Sequence, residues 1–272
     1  MRVVKGLLLG AVVSILLVMG LFATLQRKLI YYPERISVDE ILVAPGGLDR
    51  EIFFKASDGL RINALYRPPK SGRPTILFLH GNAGTLQLWK EMHQDLTKLD
   101  VGVLTIDYRG FGKSEGSPSE QGLYADARGA LAFLENEGIP VKDIIVFGKS
   151  IGTGPAVQMA IEKSLRGVIL ESPYSSIAAV ARWLVKIPLD FLVKDKFESI
   201  NKIAKINTHL LVIIAEADRL IPPQDSRLLF SKANEPKELL SIPKAVHNNI
   251  QLVGGNRYWQ ALRNWINGAD NG

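Results

Sequence analysis

The sequence of 272 residues contains no cysteine, and this absence excludes disulfide bonds, thiolate zinc sites and a cysteine nucleophile. It contains no linker-like tract and no internal repeat, so we expect its 47% apolar residues to form a single core. None of its histidines has another histidine three or four residues away, the spacing typical of a helical metal site. We therefore expect no bound metal.

The chain has little excess charge outside its first 35 residues. Its net charge is +6, from 33 basic and 27 acidic residues. The first 35 residues hold five of the basic residues and one of the acidic residues, so they carry +4 and leave +2 for the rest. Binding to nucleic acid needs positive charge clustered on the folded domain, so we expect no nucleic-acid partner.

Residues 6–25, GLLLGAVVSILLVMGLFATL, contain no charged residue and could cross about 30 Å of hydrocarbon as a helix. We predict a single-pass membrane anchor with its flanks over residues 1–28, followed by a folded domain over residues 29–272. A cleaved signal peptide is the alternative, although its apolar core usually spans only about 7 to 15 residues. Basic residues flank both ends of the stretch, which leaves the side of the membrane open.

Apolar strands alternate with helices from residue 75 onward, after an antiparallel hairpin over residues 50–68. The pattern predicts strands over residues 75–79, 101–106, 144–147, 167–170, 209–215 and 238–242, and helices over residues 85–98, 119–136, 151–165, 223–233 and 250–267. This α/β pattern predicts a mostly parallel sheet with helices on both faces. Ligands bind beyond the carboxyl ends of the strands in such sheets.

Polar segments directly follow the predicted strands, where a site is expected. They are HGNAG (80–84), DYRGFG (107–112), GKSIG (148–152), ESPY (171–174), EADRLIPP (216–223) and AVHNN (245–249). Residues 175–207 interrupt the alternation and are rich in apolar side chains. We interpret them either as a small cap over the site or as a helical insertion packed on the sheet edge.

The segment GKSIG permits two interpretations, a phosphate-binding loop or the nucleophile turn of a serine hydrolase. A phosphate-binding loop needs a glycine at position 143, where the chain has Asp143. The nucleophile turn needs a strand, a sharp turn and a helix, with small residues two positions before and after the serine. Gly148, Ser150 and Gly152 fit this second pattern. Lys149 then occupies a variable position, and we expect Lys149→Ala to lower turnover only mildly, whereas Ser150→Ala abolishes it.

A serine nucleophile needs a base and an acidic residue that orients the base, and in this architecture they follow in the order serine, acid, histidine. His247 is the one histidine that follows the last predicted strand, so we predict that it is the base. Asp218 is the preferred acid because it lies in the turn beyond its strand. Glu216 and Asp225 remain alternatives in the same stretch.

The reaction also needs N–H groups that stabilise a developing oxyanion. We predict that Ile151, directly after the nucleophile, supplies one of them and that Asn82 in HGNAG supplies the other, with Ala83 as the alternative. The loop DYRGFG is interpreted as structural. In it, Arg109 can pair with Asp107, and Tyr108 either lines the crevice or supports it.

These segments together resemble the α/β-hydrolase-fold serine hydrolases, and most closely the small membrane-anchored abhydrolase-domain subgroup. The resemblance covers FLHGNAG (78–84), DYRGFGKSEGSPSEQGLYADA (107–127), GKSIGTGPAVQMA (148–160), ESPYSSI (171–177), DKFESINKI (195–203), ADRLIPP (217–223) and HNN (247–249). It implies an α/β-hydrolase fold and a triad of Ser150, Asp218 and His247. It also implies an oxyanion hole at Asn82 and Ile151, and no metal or organic cofactor.

The resemblance implies a membrane-anchored serine hydrolase that cleaves an acyl ester or thioester through an acyl-enzyme. Members of the family include esterases, protein depalmitoylases and relatives of serine aminopeptidases. The expected partner is a small acyl substrate or an acylated protein or lipid. Two alternatives remain, a catalytically silent membrane-tethered scaffold of the same fold and a peptidase that acts on amide bonds.

Overall fold

The computed structural model describes residues 25–40, 42, 47–186 and 192–268, together with residues 10, 13–14, 17 and 19–20. Most of the predicted membrane segment, residues 6–25, lies outside the described residues. Among those that are described, no helix combines the length and the apolar character needed to cross a membrane.

The described residues form eight strands in one sheet, with spatial order β1-β2-β4-β3-β5-β6-β7-β8. The strands are β1 (Arg50–Lys55), β2 (Arg61–Arg67), β3 (Thr75–Leu79), β4 (Gly102–Ile106), β5 (Ile144–Lys149), β6 (Gly167–Glu171), β7 (His209–Ala215) and β8 (Lys237–Ile242). Strands β3 to β8 pair in parallel, whereas β2 runs antiparallel to both β1 and β4. The predicted mostly parallel sheet with an antiparallel hairpin at its start is confirmed.

Helices cover both faces of this sheet. They are α1 (Leu86–Thr97), α2 (Glu120–Asn136), α3 (Thr153–Glu162), α4 (Ile177–Val185), α5 (Pro223–Lys232) and α6 (Ile250–Gly268), with single 3₁₀ turns at Val141–Asp143, Ser150–Gly152, Ser199–Asn201 and Ile203–Lys205. The side chains of Leu77 and Leu79 join the core beneath α2, α3 and α5. Those of Ile76 and Phe78 join the core beneath α1 and α6, because successive strand residues face opposite sides.

Local signals account for where several helices begin. The side chains of Thr85, Ser119 and Ser176 each accept a hydrogen bond from a backbone N–H in the first turn of α1, α2 and α4. Pro223 occupies the first turn of α5, where a missing N–H costs no helical hydrogen bond. The caps before α1 and α4 follow β3 and β6 after short loops, whereas the loop from β4 to α2 spans residues 107–119.

A buried ion pair joins the carboxyl ends of β5 and β6. Lys149 and Glu171 are register partners, and the Lys149 ammonium donates to the Glu171 carboxylate. Tyr258 Oη donates to the same carboxylate at 2.5 Å and Gln251 Nε2 at 2.7 Å. Because Gln251 and Tyr258 belong to α6, this network fixes α6 against the strand that leads into Ser150.

The burial of this pair predicts a large loss of stability when Lys149 is replaced, because Lys149 is 4% exposed and Glu171 is fully buried. We predict that Lys149→Ala lowers the free energy of unfolding by about 3–5 kcal/mol, since it leaves an unpaired buried carboxylate. Urea unfolding followed by circular dichroism measures this change. The double variant Lys149→Met/Glu171→Gln should be less destabilised, because Tyr258 keeps an acceptor and no charge is left alone.

The matched control is Lys142→Ala, which removes an exposed lysine ahead of the same strand and should change the free energy of unfolding by less than about 0.5 kcal/mol. Equal unfolding free energies for Lys149→Ala and Lys142→Ala would contradict the prediction.

Candidate active site

Ser150 lies in a sharp turn between β5 and α3. Its φ of 52° falls in the left-handed region, which is uncommon for a residue with a side chain and accompanies strain at functional turns. A Cβ at Gly148 would lie 2.4 Å from the Gly152 carbonyl oxygen, and one at Gly152 would lie 2.0 Å from the Leu79 carbonyl oxygen. Only glycine fits at these two positions, because the turn around Ser150 packs against the end of β5 at Gly148 and against the end of β3 at Gly152.

The structure brings Ser150, His247 and Asp218 together in one hydrogen-bonded chain. His247 Nε2 lies 2.9 Å from Ser150 Oγ, and His247 Nδ1 lies 2.7 Å from Asp218 Oδ2. With Nδ1 protonated, His247 donates to Asp218 and accepts from the serine hydroxyl through Nε2. This is the arrangement in which a histidine can remove the serine proton.

Several donors hold Asp218 in its ionised form. Leu220 N and Ile221 N each donate to Oδ1 at 2.9 Å, and Ser172 Oγ donates to Oδ2 at 3.2 Å. Burial alone would raise the pKa of Asp218, but the hydrogen bond and charge of His247 and the two backbone N–H groups outweigh it. The pKa of Asp218 is therefore below its ordinary value, and the carboxylate can stabilise a positive charge on His247.

The other acidic candidates and histidines have different partners. Glu216 binds Arg227 and Ser241, and Asp225 accepts from Ser175 N at 2.8 Å. The remaining histidines bind other groups: His80 contacts the Gly81 carbonyl, His93 contacts Thr105 and Asp49, and His209 contacts Glu238. Within the described residues, no group of three or more histidine, aspartate or glutamate side chains could hold a metal ion.

Sequence reasoning did not single out Ser172, which holds Asp218 from the end of β6. Its φ of 48° turns the chain sharply after the strand, as at Ser150. The available signal was its place in ESPY, one of the polar segments that directly follow a strand.

The predicted oxyanion residues, Asn82 and Ile151, both border the nucleophile. A Cβ at Gly81 would lie 3.8 Å from Ser150 Cβ, so the loop that carries Asn82 faces Ser150. The Asn82 side chain donates to the Ile30 carbonyl at 3.1 Å, which leaves its backbone N–H as the candidate oxyanion donor. Ile151 stands in the first turn of a helix, where backbone N–H groups have no partner within the helix.

The loop after β4 is structural, but the expected pairing of Arg109 with Asp107 is not found. Arg109 binds Asp126 and Asp58 instead, with Nη2–Oδ1 distances of 2.8 Å and 2.9 Å. Asp107 is fully buried and accepts from Leu86 N at 2.9 Å. Burial raises the pKa of Asp107 to about 8, so a neutral carboxyl is favoured there and needs no guanidinium.

Tyr108 supports the site from below and does not line it. Its side chain is fully buried, and its hydroxyl donates to the His80 carbonyl at 3.0 Å. This bond holds the start of the HGNAG loop against the next strand end.

Ser150 stands between two cavities of different character. The first has a volume of about 200 Å³ and is lined mainly by apolar side chains. One of its walls is α4, through Ile177, Val180, Ala181, Leu184 and Val185, and the opposite wall is the segment 25–32, here named the strap segment, through Gln26, Leu29 and Ile30. Within the described part of residues 175–207, α4 and Val193 line this cavity, as the interpretation of a cap expects, whereas Ile203 and Ile206 pack in the core.

The second cavity is an open cleft of about 880 Å³ between α1 and α6 that also reaches His247. Polar side chains are frequent in its lining, among them Glu91, Asp95, Asn248 and Asn256. An apolar acyl group and a polar leaving group could therefore occupy opposite sides of Ser150.

Comparison with known proteins identifies a family model and a solved structure that match this chain. The family model described as serine aminopeptidase, S33, matches residues 70–202. An esterase of Pyrococcus furiosus has the same fold, with a TM-score of 0.73 at 18% identity over 89% of this chain and 98% of that chain.

Two relatives of known family extend the match over most of the sequence. The chain is 30% identical to the α/β-hydrolase domain-containing protein WAV2 of Arabidopsis thaliana, over 89% of this chain and 87% of that protein. It is 34% identical to α/β-hydrolase domain-containing protein 17B of Homo sapiens, over 78% of this chain and 73% of that protein. The chain belongs to the α/β-hydrolase family of serine hydrolases.

Proposed function

We propose that this protein is a membrane-tethered serine hydrolase that cleaves acyl esters or thioesters through an acyl-enzyme intermediate. The hydrogen-bonded chain from Ser150 through His247 to Asp218 carries this proposal, because it stands at the edge of an apolar cavity. The geometry is the one that activates a serine hydroxyl, and the cavity suits the acyl part of a substrate.

In the first half of the reaction, Ser150 Oγ attacks the acyl carbonyl while His247 Nε2 takes its proton. Asp218 orients the imidazole and stabilises the imidazolium that forms. The backbone N–H groups of Asn82 and Ile151 stabilise the oxyanion of the tetrahedral intermediate. His247 then protonates the leaving oxygen or sulfur, which departs as an alcohol or a thiol.

In the second half, His247 takes a proton from water as the water attacks the acyl group on Ser150. The second tetrahedral intermediate collapses to a carboxylic acid, and Ser150 regains its proton from His247. Each step moves one proton through His247 and needs neither a metal nor an organic cofactor.

The two cavities favour a substrate with an apolar acyl chain and a polar leaving group. The apolar cavity faces the strap segment, which continues directly from the predicted membrane segment. Leu29 lies four residues, or about 6 Å along a helix axis, beyond residue 25. A lipid or an acylated protein at the membrane surface is therefore the proposed substrate, and either side of the membrane fits.

A peptidase acting on amide bonds is the second candidate, because the matching family model is described as serine aminopeptidase. An amide forms the same tetrahedral intermediate, and His247 would then protonate a leaving amine. Hydrolysis of a matched ester and amide that share one acyl group distinguishes the two functions.

Labelling by a fluorophosphonate probe tests whether Ser150 is an activated nucleophile. We expect the full chain in detergent to be labelled and Ser150→Ala not to be labelled, because the probe needs the serine oxygen. Absence of labelling in the folded wild type would favour a silent scaffold and contradict the proposed function.

Replacement of the acid tests its assignment. We expect Asp218→Asn to lower kcat for a soluble ester by about 10³–10⁴-fold, because the neutral amide no longer holds His247 in the active tautomer. Glu216→Gln, two residues away, should keep kcat within a few fold since Glu216 binds Arg227. A larger loss for Glu216→Gln than for Asp218→Asn would reverse the assignment.

Filling the apolar cavity tests its role as the acyl site. We expect Ala181→Trp to lower kcat/KM for p-nitrophenyl decanoate by about tenfold or more and to change hydrolysis of the acetate little, because only the long chain needs the space. Ala178→Trp, on the same helix but away from the cavity lining, is the control. Equal losses for the two esters would show that the acyl chain binds elsewhere.

A further inference from the structure

The strap segment is fixed to residues 192–195 by polar contacts that are partly or fully buried. Arg27 binds Asp195 through two hydrogen bonds, with Nε–Oδ2 at 2.8 Å and Nη2–Oδ1 at 3.1 Å. Tyr31 Oη donates to Asp195 Oδ2 at 3.2 Å. Asp195 is 4% exposed and Tyr31 is 1% exposed. The buried Asp195 carboxylate therefore depends on these hydrogen bonds, which fix its orientation relative to the strap segment.

Gln26 adds a second fixed point on the same region. Its amide donates to the Leu192 carbonyl at 3.1 Å and accepts from Lys194 N at 2.7 Å. The Gln26 side chain is 2% exposed and both donates to and accepts from the backbone. It therefore fixes the position of the helical turn that carries it. Residues 26 and 27 fall within the predicted anchor, yet they contact the hydrolase domain.

The other end of the strap segment holds the loop of the candidate oxyanion hole. Tyr32 N donates to the Asn82 carbonyl at 2.9 Å, and the Asn82 side chain donates to the Ile30 carbonyl at 3.1 Å. Tyr32 and Ala83 also form a parallel bridge. Both the backbone and the side chain of Asn82 are thus bound to the strap segment, which sets the direction of its N–H group.

Between these two ends the strap segment forms a wall of the apolar cavity. Gln26, Leu29 and Ile30 lie at i, i+3 and i+4, so they share one face of a helical turn, and this face lines the cavity opposite α4. A shift of this segment would change the width of the cavity and the position of Asn82 together.

We propose that the strap segment is part of the active site, where it sets acyl-chain selectivity, and that Arg27 and Asp195 are its positioning residues. The inference rests on the proposed function, because it assumes that the acyl chain occupies the apolar cavity. It assigns a role in acyl-chain selectivity to the segment that spans the boundary between the predicted membrane anchor and the predicted folded domain.

The test compares two soluble esters, p-nitrophenyl acetate and p-nitrophenyl decanoate, with the full chain in detergent. We expect Arg27→Ala to lower the decanoate-to-acetate ratio of kcat/KM by about tenfold, because the long chain loses its wall. Arg27→Lys keeps the charge near Asp195 and should restore part of the ratio. Leu29→Trp, which narrows the cavity without touching the ion pair, should lower the ratio as well.

Arg50→Ala is the matched control, because Arg50 pairs with Glu137 at 2.9 Å and its side chain is 53% exposed, against 50% for Arg27. We expect this variant to keep the wild-type ratio and a similar melting temperature. If the wild type is active and both Arg27→Ala and Leu29→Trp keep its decanoate-to-acetate ratio, the proposal for the strap segment is overturned. A folded wild type that hydrolyses neither ester and takes no fluorophosphonate label would overturn the proposed function itself.

Discussion

Strand β5 turns into helix α3 at Ser150, where only hydrogen atoms fit at position 148, beside the Gly152 carbonyl, and at position 152, beside the Leu79 carbonyl of β3. This close approach holds Ser150 in the left-handed region and lifts its hydroxyl above the carboxyl edge of the sheet. The loops after β3, β7 and β8 lie at the same edge because those strands run parallel to β5. The meeting of Ser150 with His247, Asp218 and the Asn82 loop depends on that turn.

Buried polar contacts keep the neighbouring strand ends in register with the turn. Lys149 and Glu171 join β5 to β6, and Tyr258 and Gln251 extend the network to α6, which begins three residues after His247. Replacing Lys149 or Glu171 leaves the other charge buried and unpaired. The resulting loss in the free energy of unfolding is larger than for an exposed ion pair. The distance between Ser150 and His247 is thus held by charges that take no part in the chemistry.

The surroundings of Ser150 differ on its two sides. The apolar side is built by the cap helix α4 and the strap segment, and the polar side by α1 and α6. The apolar walls come from a segment that precedes the regular alternation of strands and helices and from one that interrupts it, whereas the sheet and its loops supply the chemistry. Substitutions in α4 can therefore change substrate selectivity without contacting the reacting groups, whereas the strap segment also contacts Asn82.

The strands, the helices other than α4, the nucleophile turn and the position of His247 could be predicted from the sequence, because apolar runs, caps and glycine spacing act over a few residues. The sequence named Asp218 but left Glu216 and Asp225 open, since the direction of a side chain in a turn depends on the partners around it. Three contacts depend on packing between distant elements and became visible in the fold: Arg109 binds Asp126 and Asp58, Lys149 is buried against Glu171, and Ser172 contacts Asp218. The fold also determines that residues 25–32 reach a site more than fifty positions away along the chain, because contacts between distant segments arise from packing and leave no periodic signal in the sequence.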